Sequence, residues 1–187
     1  MPGSKSTLSA NHRLNNSELN RSLLRALGGS VAWSSGDESK PFELDLTAPT
    51  PRRLRFYIYN ATYPPGGRTL GERKIQIIVP GQHRGERGNL DHSDGRTVLL
   101  MGYEADADVF ILWDAGTYRH FPYSMNVQVN AETVFAAYAG KIQTQRRTRR
   151  TPCSVTETVI CCPSDRLPEA LDLRLELSLA RLLGDGA

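Results

Sequence analysis

No stretch of this 187-residue sequence approaches the ~18 consecutive apolar residues of a membrane-spanning helix. The opening segment, "MPGSKSTLSANHR", also lacks the apolar core of a secretory leader. The expectation is a soluble, cytoplasmic chain with no membrane partner. Cysteine is scarce. Cys153, Cys161 and Cys162 are too few for a disulfide framework, and adjacent cysteines are not the spaced pair of a tetrahedral zinc site. They read as buried, reduced thiols. The sequons Asn15-Asn16-Ser17 and Asn60-Ala61-Thr62 go unmodified in a cytoplasmic chain. Neither a G-x-S-x-G elbow nor a P-loop lysine occurs, and His83, His92 and His120 lack a nucleophile at motif spacing. From Leu54 to Gly71 there is no Asp or Glu at all.

What is present begins with charge. The net value is only +3, but most of the positive side chains are Arg, whose planar fork of donors suits phosphates and guanine edges. Residues 1–14 are polar and expected to be disordered. Residues 15–50 are expected to hold an N-terminal helix at 17–27 and a loop. Asn15 and Glu18 supply a capping signal, Leu19, Leu23, Leu24 and Leu27 follow at helical spacing, and Gly28-Gly29 stops the helix. The prolines of "SSGDESKPFELDLTAPTPRR" then forbid a long helix.

Residues 51–145 read as β. Leu54, Phe56 and Ile58 alternate with Arg55, Tyr57 and Tyr59, and "KIQIIV", "RTVLLMGY" and "MNVQV" follow as short strands between turns. "VFILWDA" is apolar on both faces and reads as a central strand. Asp106 and Asp108 sit in a turn, and Asn130 caps a short helix ended by Gly140. Many short strands with helices at the margins predict a mostly β, α+β fold, a pseudobarrel of mainly antiparallel strands. Residues 146–187 comprise a basic segment, read as solvated unless it touches nucleic acid, and a C-terminal helix at 165–183. The last segment alternates like a strand, yet its Ala, Leu, Glu and Arg favour helix, and Pro168 is tolerated in a first turn.

Two chemistries compete in "LGERKIQIIVPG". Glu72 and Lys74 fall on one side of a strand, as in a Glu-x-Lys nuclease that would need Mg²⁺ as cofactor and a second carboxylate on the neighbouring strand. That strand carries no acid, and Asp45 and Asp91 serve only if the chain detours. The alternative is a binding surface without cofactor. One loop holds Asn60, Tyr63, Arg68, Arg73 and Lys74, with Gln76 on the strand that follows, and a later one holds Tyr118, Arg119, His120, Tyr123, Ser124 and Asn126. Arg and Asn are residue types that read guanine and adenine edges, while hydroxyls position phosphates. Arg146 and Arg147 add basic charge beyond the β region. Two ordinary polar hairpin loops would have the same composition, so a non-DNA interaction domain stays open.

The order "LRFYIYN.TYPPGGR", "E.KIQI", "LLMGY", "DVFILWDA" and "SMNVQV", over residues 52 to 143, resembles the effector-type DNA-recognition pseudobarrel of restriction endonucleases such as EcoRII, BfiI and NgoAVII. The trailing "ETVICCPSDRLPEAL" and "RLLGD" resemble proteins encoded beside DNA methyltransferases. The resemblance implies a sequence-specific double-stranded DNA-binding module of a restriction–modification system, gripping the major groove with two loop arms. Cleavage then belongs to a separate nuclease subunit, with a cognate DNA methyltransferase as a further partner. The sequence departs from that family in having no recognisable second domain of nuclease size.

Overall fold

The computed structural model describes residues 12–47, 51–64, 71–150 and 154–184. Helix α1 (Asn16–Leu27) starts as its capping signal requires. Asn15 Oδ1 accepts from the Glu18 N–H at 2.9 Å, and Glu18 Oε2 accepts from the Asn15 N–H at 2.7 Å. It ends at Gly28, which adopts φ 57°. Then come β1 (Val31–Ser34), β2 (Phe42–Leu46), β3 (Arg52–Asn60), β4 (Arg73–Ile77), β5 (Arg87–Gly88), β6 (Thr97–Glu104), β7 (Val109–Trp113), β8 (Phe121–Pro122) and β9 (Met125–Val129). Helix α2 (Ala131–Tyr138), β10 (Gln143–Arg149), β11 (Val155–Pro163) and α3 (Leu167–Leu183) complete the chain.

The fold is mostly β with flanking helices. Seven strands form one mixed sheet in the order β1-β2-β3-β6-β7-β11-β10, and β4–β9 and β5–β8 form two separate antiparallel ribbons. Among the described ladders only β3 and β6 pair parallel. The chain joining them must cross a face of the sheet, and it carries β4 and β5 there.

Alternation in the central strands feeds two cores. Leu54, Phe56, Ile58, Met101, Phe110 and Ile160 meet Leu19, Leu23 and Leu27 of α1 and Leu167 and Leu171 of α3. On the other face Tyr57, Leu100, Ile111, Trp113 and Val159 meet Ile75, Ile77, Val127 and Val129 of the β4–β9 ribbon and Val134 of α2. Because both faces are covered, all five residues of β7 are buried, as its unbroken apolar run predicts. Gly102 lets the ribbon approach: a Cβ there would sit 2.7 Å from Ile75 Cγ2 and 3.1 Å from the Trp113 ring.

Several expectations change. The segment read as a loop contains β2, whose Phe42, Leu44 and Leu46 are buried at period two, so residues 31–46 belong to the main sheet. The basic segment is no solvated tail but the edge strand β10. "VTETVICCP" is β11, between β7 and β10. Within the stretch expected to be disordered, residues 12–14 are placed, with Leu14 clasped by Asn60. Cys161 and Cys162 are free and buried, and burial pushes the Cys162 thiol up to about 12. Cys153 and Arg68 lie outside the described residues. Among those described, no helix is long and apolar enough to cross a membrane.

Candidate nucleic-acid interface

The β4–β9 ribbon buries one side and presents the other. Register pairs Lys74 with Gln128 and Gln76 with Asn126, directly opposite across the ladder. Period two therefore turns Ile75, Ile77, Val127 and Val129 inward and leaves an outward stripe of Lys74, Gln76, Asn126 and Gln128. Lys74 Nζ donates to Asn126 Oδ1 at 3.0 Å, and Gln76 Nε2 donates to Ser124 Oγ. Neighbouring Arg73 points the opposite way and is 2% exposed. Its guanidinium donates to Glu104 Oε1 at 2.9 Å and to the Tyr138 hydroxyl at 2.5 Å, and lies 3.6 Å from the Tyr63 ring centroid.

Two concavities meet at this stripe. Arg13, Tyr59, Asn60, Thr62, Lys74 and Gln76 line a groove of about 160 Å³. Arg84, Glu86, Arg87, Pro122, Tyr123 and Ser124 line a cleft of about 650 Å³. The Gln76–Ser124 hydrogen bond joins them. The arms around the cleft hold each other, because Arg87 Nη1 donates to the His120 carbonyl at 3.3 Å and Asn89 Oδ1 accepts from the His120 N–H at 2.8 Å. His120 and Ser124 adopt φ 49° and 61°, left-handed backbone that non-glycine residues rarely occupy. Partial burial, and then the Arg119 guanidinium, hold His92 below the ordinary histidine range. Glu86 adds an acid to the cleft, and its Oε2 already accepts the His83 N–H at 2.7 Å.

The sequence-based candidates therefore separate. Lys74, Gln76, Tyr123, Ser124 and Asn126 come together, with Asn60 at the groove and Arg119 and His120 on the adjoining loop. Arg73 turns inward with Tyr63 stacked on it. Tyr118 is 1% exposed, and its hydroxyl donates to Glu157 Oε1 at 2.6 Å. Burial, then the Glu157 charge, raise that phenol well above its ordinary range. Arg147 turns inward as well, donating to the Gln128 carbonyl, with Nε 3.6 Å from Glu157 Oε1. Arg146 pairs with Thr158 and faces the side of the sheet opposite the ribbon, the side covered by α1 and α3.

Glu72 stands just before β4, and Lys74 meets an amide. Glu104, the acid buried behind β4, is taken by Arg73 and Tyr138. Among the described residues no group of three or more His, Cys, Asp and Glu side chains gathers closely enough to hold a metal. Sequence reasoning passed over Arg13, Thr62, Arg84 and Arg87. For Arg84 and Arg87 the signal was their place in a glycine-rich loop, whereas Arg13 reaches the groove only through the Leu14–Asn60 clasp.

Residues 52–171, from the start of β3 into α3, match the family model described as methylase-associated X1. The chain belongs to the methylase-associated X1 family. No curated protein and no solved structure matches it. The family is named for association with methylases, which sets this methylase-associated X1 chain in a restriction–modification context. The family stretch includes the ribbon, both arms of the cleft, and β10 and β11, but leaves out α1, β1 and β2.

Proposed function

We propose that this methylase-associated X1 protein is the sequence-specific double-stranded DNA-binding module of a cytoplasmic restriction–modification system. On this reading the β4–β9 ribbon enters the major groove, which is wide enough for a two-stranded β-ribbon. The loops around Arg84, Arg87, Arg119 and His120 hold the flanking phosphates, in the manner of the two arms of an effector-type pseudobarrel. A cognate DNA methyltransferase and a separate nuclease subunit are the partners. The observation that carries the reading is the outward stripe of Lys74, Gln76, Asn126 and Gln128 between two Arg-lined concavities. Cations beside carboxamides are what base reading next to a phosphate backbone requires.

The test is selection of bound duplexes from a randomised pool in EDTA, then a plasmid incubation with Mg²⁺. Enrichment of one sequence and an intact plasmid are the expected results. Mg²⁺-dependent cutting would assign the Glu72–Lys74 pair to a nuclease instead. Retention of no duplex would leave an interaction domain without DNA.

A further inference from the structure

We infer that the Gln76–Asn126 pair reads one adenine through its N6 and N7 atoms, and that a methyl group on that N6 blocks the contact. The inference rests on the DNA-binding reading above and names the base and the modification that its central pair distinguishes.

Gln76 and Asn126 are direct cross-strand partners on the exposed side of the ribbon. Opposed residues of an antiparallel pair stand about 4.5–5.5 Å apart at Cβ, close enough for two side chains to share one base edge. Each carboxamide has one end committed. Gln76 uses Nε2 to donate to Ser124 Oγ, and Asn126 uses Oδ1 to accept from Lys74 Nζ at 3.0 Å. That leaves the acceptor Gln76 Oε1 and the donor Asn126 Nδ2 to meet a base from adjacent cross-strand positions. Lys74, which can only donate, fixes Asn126 with Oδ1 toward it, and Ser124, on its left-handed turn at φ 61°, holds the Gln76 amide by Nε2; both act as positioning residues.

An adjacent acceptor and donor distinguish the four bases in the major groove. Adenine shows an N6–H donor and the N7 acceptor, and it alone satisfies both. Guanine shows two acceptors, O6 and N7, so one would face Gln76 Oε1 without a proton between them. Cytosine shows only its N4–H donor, and thymine shows O4 and a methyl group.

The same geometry sets the response to methylation. Adenine N6 carries two hydrogens, of which one pairs with thymine and the other lies in the major groove beside N7. A methyl group that leaves the base pair intact takes the second position. The hydrogen that Gln76 Oε1 accepts is then gone, and a carbon stands where the acceptor must approach. A protein set among methylases would in this way bind its site only while that adenine is unmodified.

The experiment uses the full chain and the duplex selected as described above. The selected site is expected to contain an adenine whose N6-methylation weakens binding by about 5- to 150-fold, the range for one bidentate base contact. The Gln76→Ala/Asn126→Ala variant is expected to bind methylated and unmethylated duplexes equally. Both side chains are exposed, so its melting temperature should match the parent's. Ser124→Ala, which frees the Gln76 amide, should lower the ratio between the two duplexes while leaving melting unchanged. A selected site without adenine, or one in which N6-methylation at every adenine leaves affinity unchanged, overturns this inference and leaves the DNA reading standing. Methyl discrimination that persists in the double variant overturns the assignment to this pair. Retention of no duplex by the parent overturns the DNA reading and this inference together.

Discussion

Arg73 and Lys74 are adjacent in sequence and opposite in fate, because a strand sends successive side chains to opposite faces. Lys74 becomes part of a surface, whereas Arg73 is sealed against Glu104, Tyr138 and Tyr63. Glu157 shows the cost of such burial. It is 2% exposed, and burial raises its carboxyl above the ordinary glutamate range despite the Tyr118 hydroxyl and the Arg149 and Arg147 charges. Its Oε2 has no hydrogen-bond partner among the described residues. The folded chain therefore holds this proton to a higher pH than the unfolded chain does. The Glu157 contribution to stability is present below the ordinary glutamate range and is lost as pH rises through the raised one. Glu157→Gln keeps the oxygen that accepts from Tyr118 and removes the titration. Its stability relative to wild type, measured as urea midpoints across pH, is expected to climb through that window and then level off. A difference that stays constant with pH would show that burial does not govern this carboxyl.

At the scale of elements, β10 assigns different work to arginines that look alike in "RRTRR". Arg147 and Arg149 lie on the ribbon side, where Arg147 donates to the Gln128 carbonyl and Arg149 donates to the Thr117 carbonyl at 2.7 Å. Arg146 lies on the opposite side and is exposed. Arg147→Ala or Arg149→Ala is expected to cost about 1–3 kcal/mol in urea unfolding, because each removes a charged donor from a backbone carbonyl and from beside the buried Glu157 carboxyl. Arg146→Ala should shift stability by less than about 0.5 kcal/mol and leave the salt dependence of DNA binding unchanged. Arg84→Ala and Arg87→Ala, beside the cleft, should each lower the log–log salt slope by about 0.9 for a lost phosphate contact. A reduced slope for Arg146→Ala with an unchanged slope for the other two would move the phosphate surface from the cleft to the sheet edge.

For the whole molecule, the stretch before β3 is structural. Leu19, Leu23, Leu27, Phe42, Leu44 and Leu46 supply much of one core, and Glu43 pairs with both Arg55 and Arg96 at 2.8 and 3.0 Å. Arg96 is 8% exposed and pairs with Glu43 and Asp45, so losing this stretch strips a buried cation of both carboxylates, a defect that costs about 3–5 kcal/mol where the partner of a buried pair is removed. A chain starting at residue 51 keeps the whole family stretch but loses that core and exposes the edge of β3. It is expected to show no cooperative thermal transition and no near-ultraviolet circular dichroism signal. A cooperative transition like that of the full chain would mean that residues 51–187 fold alone.

Some of this was determined by the sequence alone, because the deciding interactions are local. The Asn15–Glu18 capping box, the stop at Gly28, the buried run of β7 and the capped helix after Asn130 each depend on residues within a few positions of one another. The C-terminal helix was legible for the same reason: propensity outweighed an alternating leucine pattern, and α3 runs from Leu167 to Leu183. The mostly β class followed from many short alternating strands. Tertiary structure decided the rest through partners distant in sequence. Phe42, Leu44 and Leu46 alternate over only five residues within a proline-rich stretch, and they become a strand because β3 offers them a ladder. Arg146, Arg147 and Arg149 look equivalent until β11 fixes their register. The candidate site was half visible: its residue types stood out, but which of them share a face depended on the pairing of Gln76 with Asn126, fifty positions away. That pairing is set by two buried rows, Ile75 and Ile77 beside Val127 and Val129, closing over the sheet.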